Sequence, residues 1–229
     1  MQKIQDSYPM RINKYLALKK ISTRRGADEL VKAKKVFING KLAILGSKVN
    51  EKDKIEVRGA KVKEYEYFAY NKPIGVKTSS PRENLFPLGR LDKASHGLLI
   101  LTNDGRITDT LLNPKYFHEK EYIIRTSNKL RSSFKQKMEA GVNIEGLPAQ
   151  AGYITKPCKV KIINDFTFRI TLTEGKKHQI RRMCSTLFQE IADLKRERIM
   201  NIKLNNLKPK GIREIKGEKL QTFLKSVLF

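Results

Sequence analysis

Residues 87–105 read PLGRLDKASHGLLILTNDG. Two glycines, Gly89 and Gly97, bracket a short polar loop, which feeds the uncharged run 98–101 before Asn103-Asp104-Gly105 signals a turn. A short apolar run bounded this way is a buried strand, so the polar loop hangs at a strand's edge. Arg90 and Asp92 stand two positions apart, and in an extended segment both side chains point to one side. Taken alone, such a pair is an ordinary surface ion pair.

Working outward from this strand, alternating or apolar runs at 65–70, 121–126, 152–155, 158–163 and 166–173 predict further strands. Helices are predicted at 104–112, 130–140, 177–188 and 218–228. Strands outnumber helices and do not alternate with them, which favours an α+β domain on a mixed, mainly antiparallel sheet over a doubly wound parallel one. That larger unit is expected over 65–229, joined through a polar linker at 61–64 to a separate small domain at 1–60.

The small domain is basic in its own right, with 15 Lys and Arg against 6 Asp and Glu in its sixty residues. Ile12, Tyr15 and Leu16 recur at helical spacing; Ser22-Thr23 offers a cap to a second helix whose Ala27, Leu30 and Val31 face inward. The strand Val36-Phe37-Ile38 runs into Asn39-Gly40, the strongest short hairpin signal in the chain, followed by an apolar piece at 42–45 and a strand at 55–57. Arg24, Arg25, Lys32, Lys34 and Lys35 gather around the second helix, where a phosphate backbone could meet them.

The whole chain of 229 residues carries 48 Lys and Arg against 23 Asp and Glu, a formal charge of +25. A charge of this sign and size is the footprint of a nucleic-acid partner. No apolar run approaches the roughly 20 residues of a membrane span, and the charged first thirty residues do not read as a secretory signal, so a cytoplasmic protein with no membrane partner is expected. Two isolated cysteines and three histidines supply neither a disulfide framework nor a zinc site, and no metal or organic cofactor is expected. Nothing in the partition of apolar residues calls for an obligate oligomer, so a monomer is expected.

The stretch 11–57 resembles the small RNA-binding domain first described in a small-subunit ribosomal protein. GRLDKASHGLLILTNDG resembles the signature of the bacterial ribosomal RNA pseudouridine synthases of the RsuA family, in the branch with that domain at its N terminus. Two more of the family's motifs follow in order, His118-Glu119-Lys120-Glu121-Tyr122 and the stretch 174–184, EGKKHQIRRMC. KEY, GVNIEG and RERIMNIKL are most similar to the branch acting on large-subunit ribosomal RNA and also on a transfer RNA.

The resemblance implies an RNA-modifying isomerase that converts uridine to pseudouridine without a cofactor. Asp92 is then the carboxylate that acts on the ribose, as nucleophile or as base. Arg181 is its basic partner, Arg90 the arginine that helps extrude the target nucleotide and holds phosphate, Tyr122 the ring that stacks on the extruded uracil, and Ile180 the apolar floor beneath it. His178, His96 and His118 are read as structural, and so are Glu174, Asp104 and the two cysteines, with Asp104 also near enough in sequence to support the loop. The alternative is a non-catalytic RNA-binding or ribosome-assembly factor, motivated by the charge and the N-terminal domain alone.

Overall fold

The computed structural model describes residues 8–19, 21–59, 64–144 and 152–228. They fall into two compact units: the described residues up to Tyr65 together with Asp104–Arg106, and Glu66–Asn103 with Ile107 onward. The expected linker 61–64 lies, except for Glu64, outside the described residues.

In the first unit β1 (Met10–Arg11), paired with β4 (Lys48–Val49), leads into α1 (Ile12–Leu18). α2 (Arg24–Lys32) starts where the sequence places it, the Thr23 hydroxyl accepting the Gly26 N–H at 3.0 Å. Strands β2 (Val36–Ile38), β3 (Lys41–Leu42) and β5 (Ile55–Val57) form a three-stranded sheet. Asn39 and Gly40 both adopt positive φ, 51° and 78°, as a type I′ hairpin requires. Ile12, Leu16, Ala27, Val31, Val36, Ala43 and Val49 close one small core. The apolar piece 42–45 is mostly outside it: Ala43 is buried, whereas Leu42, Ile44 and Leu45 are exposed.

The second unit is built on one nine-stranded sheet. Its strands are β6 (Tyr67–Lys72), β7 (Phe86–Leu88), β8 (His96–Thr102), β9 (Lys120–Thr126), β12 (Lys159–Asn164), β13 (Thr167–Leu172), β14 (Ile191–Ile199), β15 (Ile202–Lys203) and β16 (Ile212–Glu214). β10 (Asn143–Ile144) and β11 (Tyr153–Ile154) pair apart from it. The order along the main path is β12-β13-β9-β14-β8-β6-β16, with β15 on β14 and β7 on β8. Only β14 with β8 is parallel, so the mixed, mainly antiparallel sheet expected from the sequence is present. The helices are α3 (Thr108–Leu112), α4 (Phe134–Ala140), α5 (Gln179–Thr186) and α6 (Gly217–Leu228). The tail of GVNIEG, residues 145 and 146, lies outside the described residues. Among the described residues no helix is long and apolar enough to cross a membrane.

Periodicity gives no strand at Ile191–Ile199, the longest in the molecule. Its residues, IADLKRERI, alternate poorly because the central charges are paired rather than solvated. Arg198 donates to Glu119 at 3.0 Å, and Arg169 on β13 donates to Glu197 at 3.0 Å. Arg196, 2% exposed, donates through Nε to the Leu98 carbonyl at 2.7 Å. Cross-strand ion pairs let a charged segment occupy a sheet interior.

β14 approaches β8 where Arg196 faces Gly97 in the parallel register. Gly97 holds φ at +103°, and a Cβ there would collide with the Arg196 backbone carbonyl. Gly97→Ala should lower the unit's unfolding free energy by at least about 1–3 kcal/mol, the range for a strained backbone. A thermal or urea midpoint unchanged from the parent would refute the close approach.

Candidate active site

Between β7 and β8 the chain leaves the sheet as the polar loop 89–95, and a loop without strand partners must find donors for its carbonyls elsewhere. The carbonyls of residues 91–95 each receive one from a named group. Thr78 clamps Leu91 from both directions, its hydroxyl donating to the Leu91 carbonyl at 2.7 Å and accepting the Leu91 N–H at 2.9 Å. The Gly75 N–H donates to the Lys93 carbonyl at 2.8 Å, and the Ser95 N–H turns back to the Asp92 carbonyl at 3.1 Å. From the sheet below, the Lys72 ammonium donates to the Ser95 carbonyl at 2.7 Å and to the Pro73 carbonyl at 2.9 Å. From α5, Arg181 donates to the Ala94 carbonyl at 3.0 Å and to the Ser95 hydroxyl at 3.1 Å.

The loop so held presents Asp92. Arg181 Nε lies 3.7 Å from its Oδ2, and His178 Nε2 lies 3.5 Å from its Oδ1. The Asp92 side chain is 31% exposed, so the acid is both flanked and reachable. Arg181 therefore bridges two jobs, holding the loop by its carbonyls and facing the acid with its charge.

α5 is positioned by the turn before it. Glu174, buried, accepts the Tyr153 hydroxyl at 2.6 Å, the Lys156 N–H at 3.0 Å and the Gln179 side-chain amide at 2.7 Å. Gln179 in turn accepts the Lys176 N–H at 2.8 Å. His178 stands at the helix start with φ 54°. Ile180, 6% exposed, belongs to the same buried cluster as Leu91 and Tyr122. That cluster ties the loop, β9 and α5 to one another. Tyr122 is 9% exposed and faces Arg196 across the sheet, whose guanidinium lies 5.9 Å from the ring centroid.

Of the residues singled out from the sequence, Asp92 and Arg181 are brought within ion-pair range, and Tyr122 and Ile180 belong to one buried cluster. Arg90 is exposed and has no hydrogen bond or ion pair among the described residues. Asp104, fully buried, accepts the Arg106 backbone N–H at 3.0 Å and its Nε–H at 2.8 Å. His178, read as structural, is in fact a neighbour of the acid. His96 pairs with Asp193 at 2.9 Å. Burial first, then the Lys120 charge, lowers the His118 pKa. Burial pushes both thiols up to about 12, as core cysteines require. In the first unit Arg24, Arg25, Lys32 and Lys34 are exposed, and Lys35 donates to the Gly59 carbonyl at 3.0 Å.

Three cations near this chemistry escaped sequence reasoning. Lys72 is 1% exposed; burial lowers its pKa, and the Asp92 charge pulls it partly back. Lys120 is 8% exposed and is pushed down to about 8 by burial and, less, by Arg196. Arg196 keeps a buried Nη2 without a hydrogen-bond partner. Lys72 closes the strand Tyr67–Lys72, two residues beyond the strand expected at 65–70.

A sheet with a parallel join at its centre, and an Asp loop tied to an arginine helix, define an RNA-modifying fold when set beside known proteins. The family model for RNA pseudouridylate synthase matches residues 66–186, and that of the S4 domain matches residues 10–55. The chain belongs to the RNA pseudouridylate synthase family: it is an RNA pseudouridine synthase, an isomerase, carrying an RNA-binding S4 domain, and not a non-catalytic RNA-binding factor. It is 36% identical over 236 residues to the dual-specificity RNA pseudouridine synthase RluF of Escherichia coli strain K12, covering 95% of this chain and 79% of that one. With the ribosomal large subunit pseudouridine synthase B of Bacillus subtilis it shares 33% over 229 residues, covering 90% and 91%. A crystal structure of a pseudouridylate synthase superposes with a TM-score of 0.68 at 25% identity, covering 95% of this chain and 99% of that one.

Lys72→Met should leave the Ser95 and Pro73 carbonyls unpaired, lowering stability by about 2 kcal/mol. Faster amide exchange at Lys93 to Ser95 and at least a tenfold loss of turnover should accompany it. Full activity with unaltered exchange would show that the loop does not depend on the ammonium.

Proposed function

We propose that this enzyme isomerises a uridine of ribosomal RNA, in the large subunit, with a transfer RNA as a second substrate, and that Asp92 is the reacting carboxylate. The names of the relatives support the substrate: one is called dual-specificity, another acts on the ribosomal large subunit. The observation that carries the assignment of Asp92 is its partly exposed carboxylate 3.7 Å from Arg181, on a loop whose carbonyls at 91–95 each accept a hydrogen bond.

The isomerisation breaks the bond from uracil N1 to ribose C1′ and makes one from C5 to C1′. C5 gives up its proton, N1 gains one, and the formula is unchanged. An ionised Asp92 serves either by attacking C1′ or by taking the neighbouring 2′ proton. Arg181 faces the carboxylate with a positive charge and fixes the loop. The target base is unreachable while stacked in a helix, so the nucleotide must leave it. Arg90, exposed beside the acid, fills the vacated position and meets phosphate. Tyr122 stacks on the extruded uracil and Ile180 floors the pocket.

The N-terminal domain, residues 1–60, brings RNA to the catalytic domain, residues 65–229, through the linker 61–64. Arg24, Arg25, Lys32, Lys34 and Lys35 contact the phosphate backbone, which sets orientation but not sequence. The protein works as a monomer in the cytoplasm.

Asp92→Ala should remain folded and bind ribosomal RNA, yet pseudouridine, detected as its carbodiimide adduct, should fall at least ~100-fold. Wild-type levels of the adduct would remove Asp92 from the chemistry. Replacing Arg24, Arg25 and Lys32 together by Ala should weaken RNA binding and reduce the slope of log affinity against log salt by about two. An unchanged slope would place the phosphates elsewhere.

A further inference from the structure

Phe188 follows α5 with φ at 59°, the left-handed region that favours glycine, yet carries a large ring that is 72% exposed. A bulky side chain rarely adopts this backbone, and no gain in burial explains it here. The backbone is clamped: its N–H donates to the Ser185 carbonyl at 2.9 Å, and its carbonyl accepts the Asn128 amide at 3.0 Å. Asn128 Oδ1 also accepts the Glu190 N–H at 3.1 Å. The ring thus springs from a fixed backbone.

Arg131 lies over this ring, its guanidinium 5.2 Å from the centroid. The ring walls an open cleft of about 840 Å³ that includes Ser127, Asn128, Ser185 and, at its other end, Arg181, the partner of Asp92. From Arg181 to the end of α5 at Thr186 the helix rises about 8 Å, and Phe188 follows two residues on, a span of a few nucleotides. The Arg181 guanidinium and the Ser127 and Ser185 hydroxyls in the cleft, with Arg131 over the ring, offer a ribose–phosphate strand its donors, and an aromatic face offers a base its stack. Glu190 is the one acid lining the cleft.

We propose that Phe188, with Arg131, is a stacking subsite for an unpaired base of the RNA strand flanking the target uridine. This rests on the reading of Asp92 and Arg181 as the reaction centre. The subsite grips the strand beside the extruded nucleotide, and sequence tolerance follows because every base has a π-face.

The chain contains no tryptophan, so Phe188→Trp introduces a single fluorophore at the subsite. Its emission should be quenched by short oligouridylate, but not by an abasic ribose–phosphate strand of equal length that still competes for binding. Phe188→Gly relieves the backbone, so its thermal midpoint should not fall, while KM for ribosomal RNA should rise roughly 5- to 150-fold, the value of one aromatic–base stack. Phe188→Tyr should restore the parent KM. An equal response to the abasic strand, or a parent KM in Phe188→Gly, overturns the subsite. Self-association that depends on Phe188 in sedimentation also overturns it, in favour of a second copy as occupant. The fluorescence arm needs no turnover; a parent protein that makes no pseudouridine in any RNA would instead sink the reading of the reaction centre.

Discussion

A short loop carrying a charged acid cannot hold its own shape, and two cations supply what it lacks. The Lys72 ammonium reaches it from the sheet and the Arg181 guanidinium from α5, and they donate to the neighbouring carbonyls of Ser95 and Ala94. Hydrogen bonds from charged donors are roughly twice as strong as neutral ones. Because Arg181 also faces Asp92, the charge that orients the loop and the charge that faces the acid belong to one side chain. Loop position, helix position and acid environment therefore change together.

This arrangement has requirements far from the loop. α5 delivers Arg181 only if the turn before it is fixed, and buried Glu174 does that with three accepted bonds. β8 can lie beside β14 only because Gly97 lacks a side chain. That join places Arg196 opposite Gly97 along one edge and opposite Tyr122 along the other. A sheet interior holding Lys72, Lys120 and Arg196 is costly to build, since burial opposes charge. Burial, more than the neighbouring Arg196 charge, lowers the Lys120 pKa to about 8.

Local chemistry was legible where the responsible atoms are neighbours in sequence. Thr23 capping, the two left-handed residues of the Asn39-Gly40 turn and the apolar strand His96–Thr102 each depend on a few adjacent residues. β14 was not legible, since Arg169, Glu119 and Glu121, which neutralise its charges, come from elsewhere in the chain. Lys72 fell beyond the strand expected at 65–70, and nothing nearby shows that the chain returns at Ser95 to cover it. Phe188 read as the tail of a helix, whereas its backbone has already turned out of one.

The sequence by itself determined the class of fold, the basic N-terminal domain and the ordered motifs around Asp92, Tyr122 and Arg181, since these are properties of residue type, spacing and resemblance. Tertiary structure alone decided which cations are buried, that His178 neighbours the acid, that Asp104 is buried against Arg106, and that an aromatic ring stands in the cleft with Arg181. Electrostatics and burial depend on distance through space, and spacing along the chain carries that distance only within one helix, strand or turn.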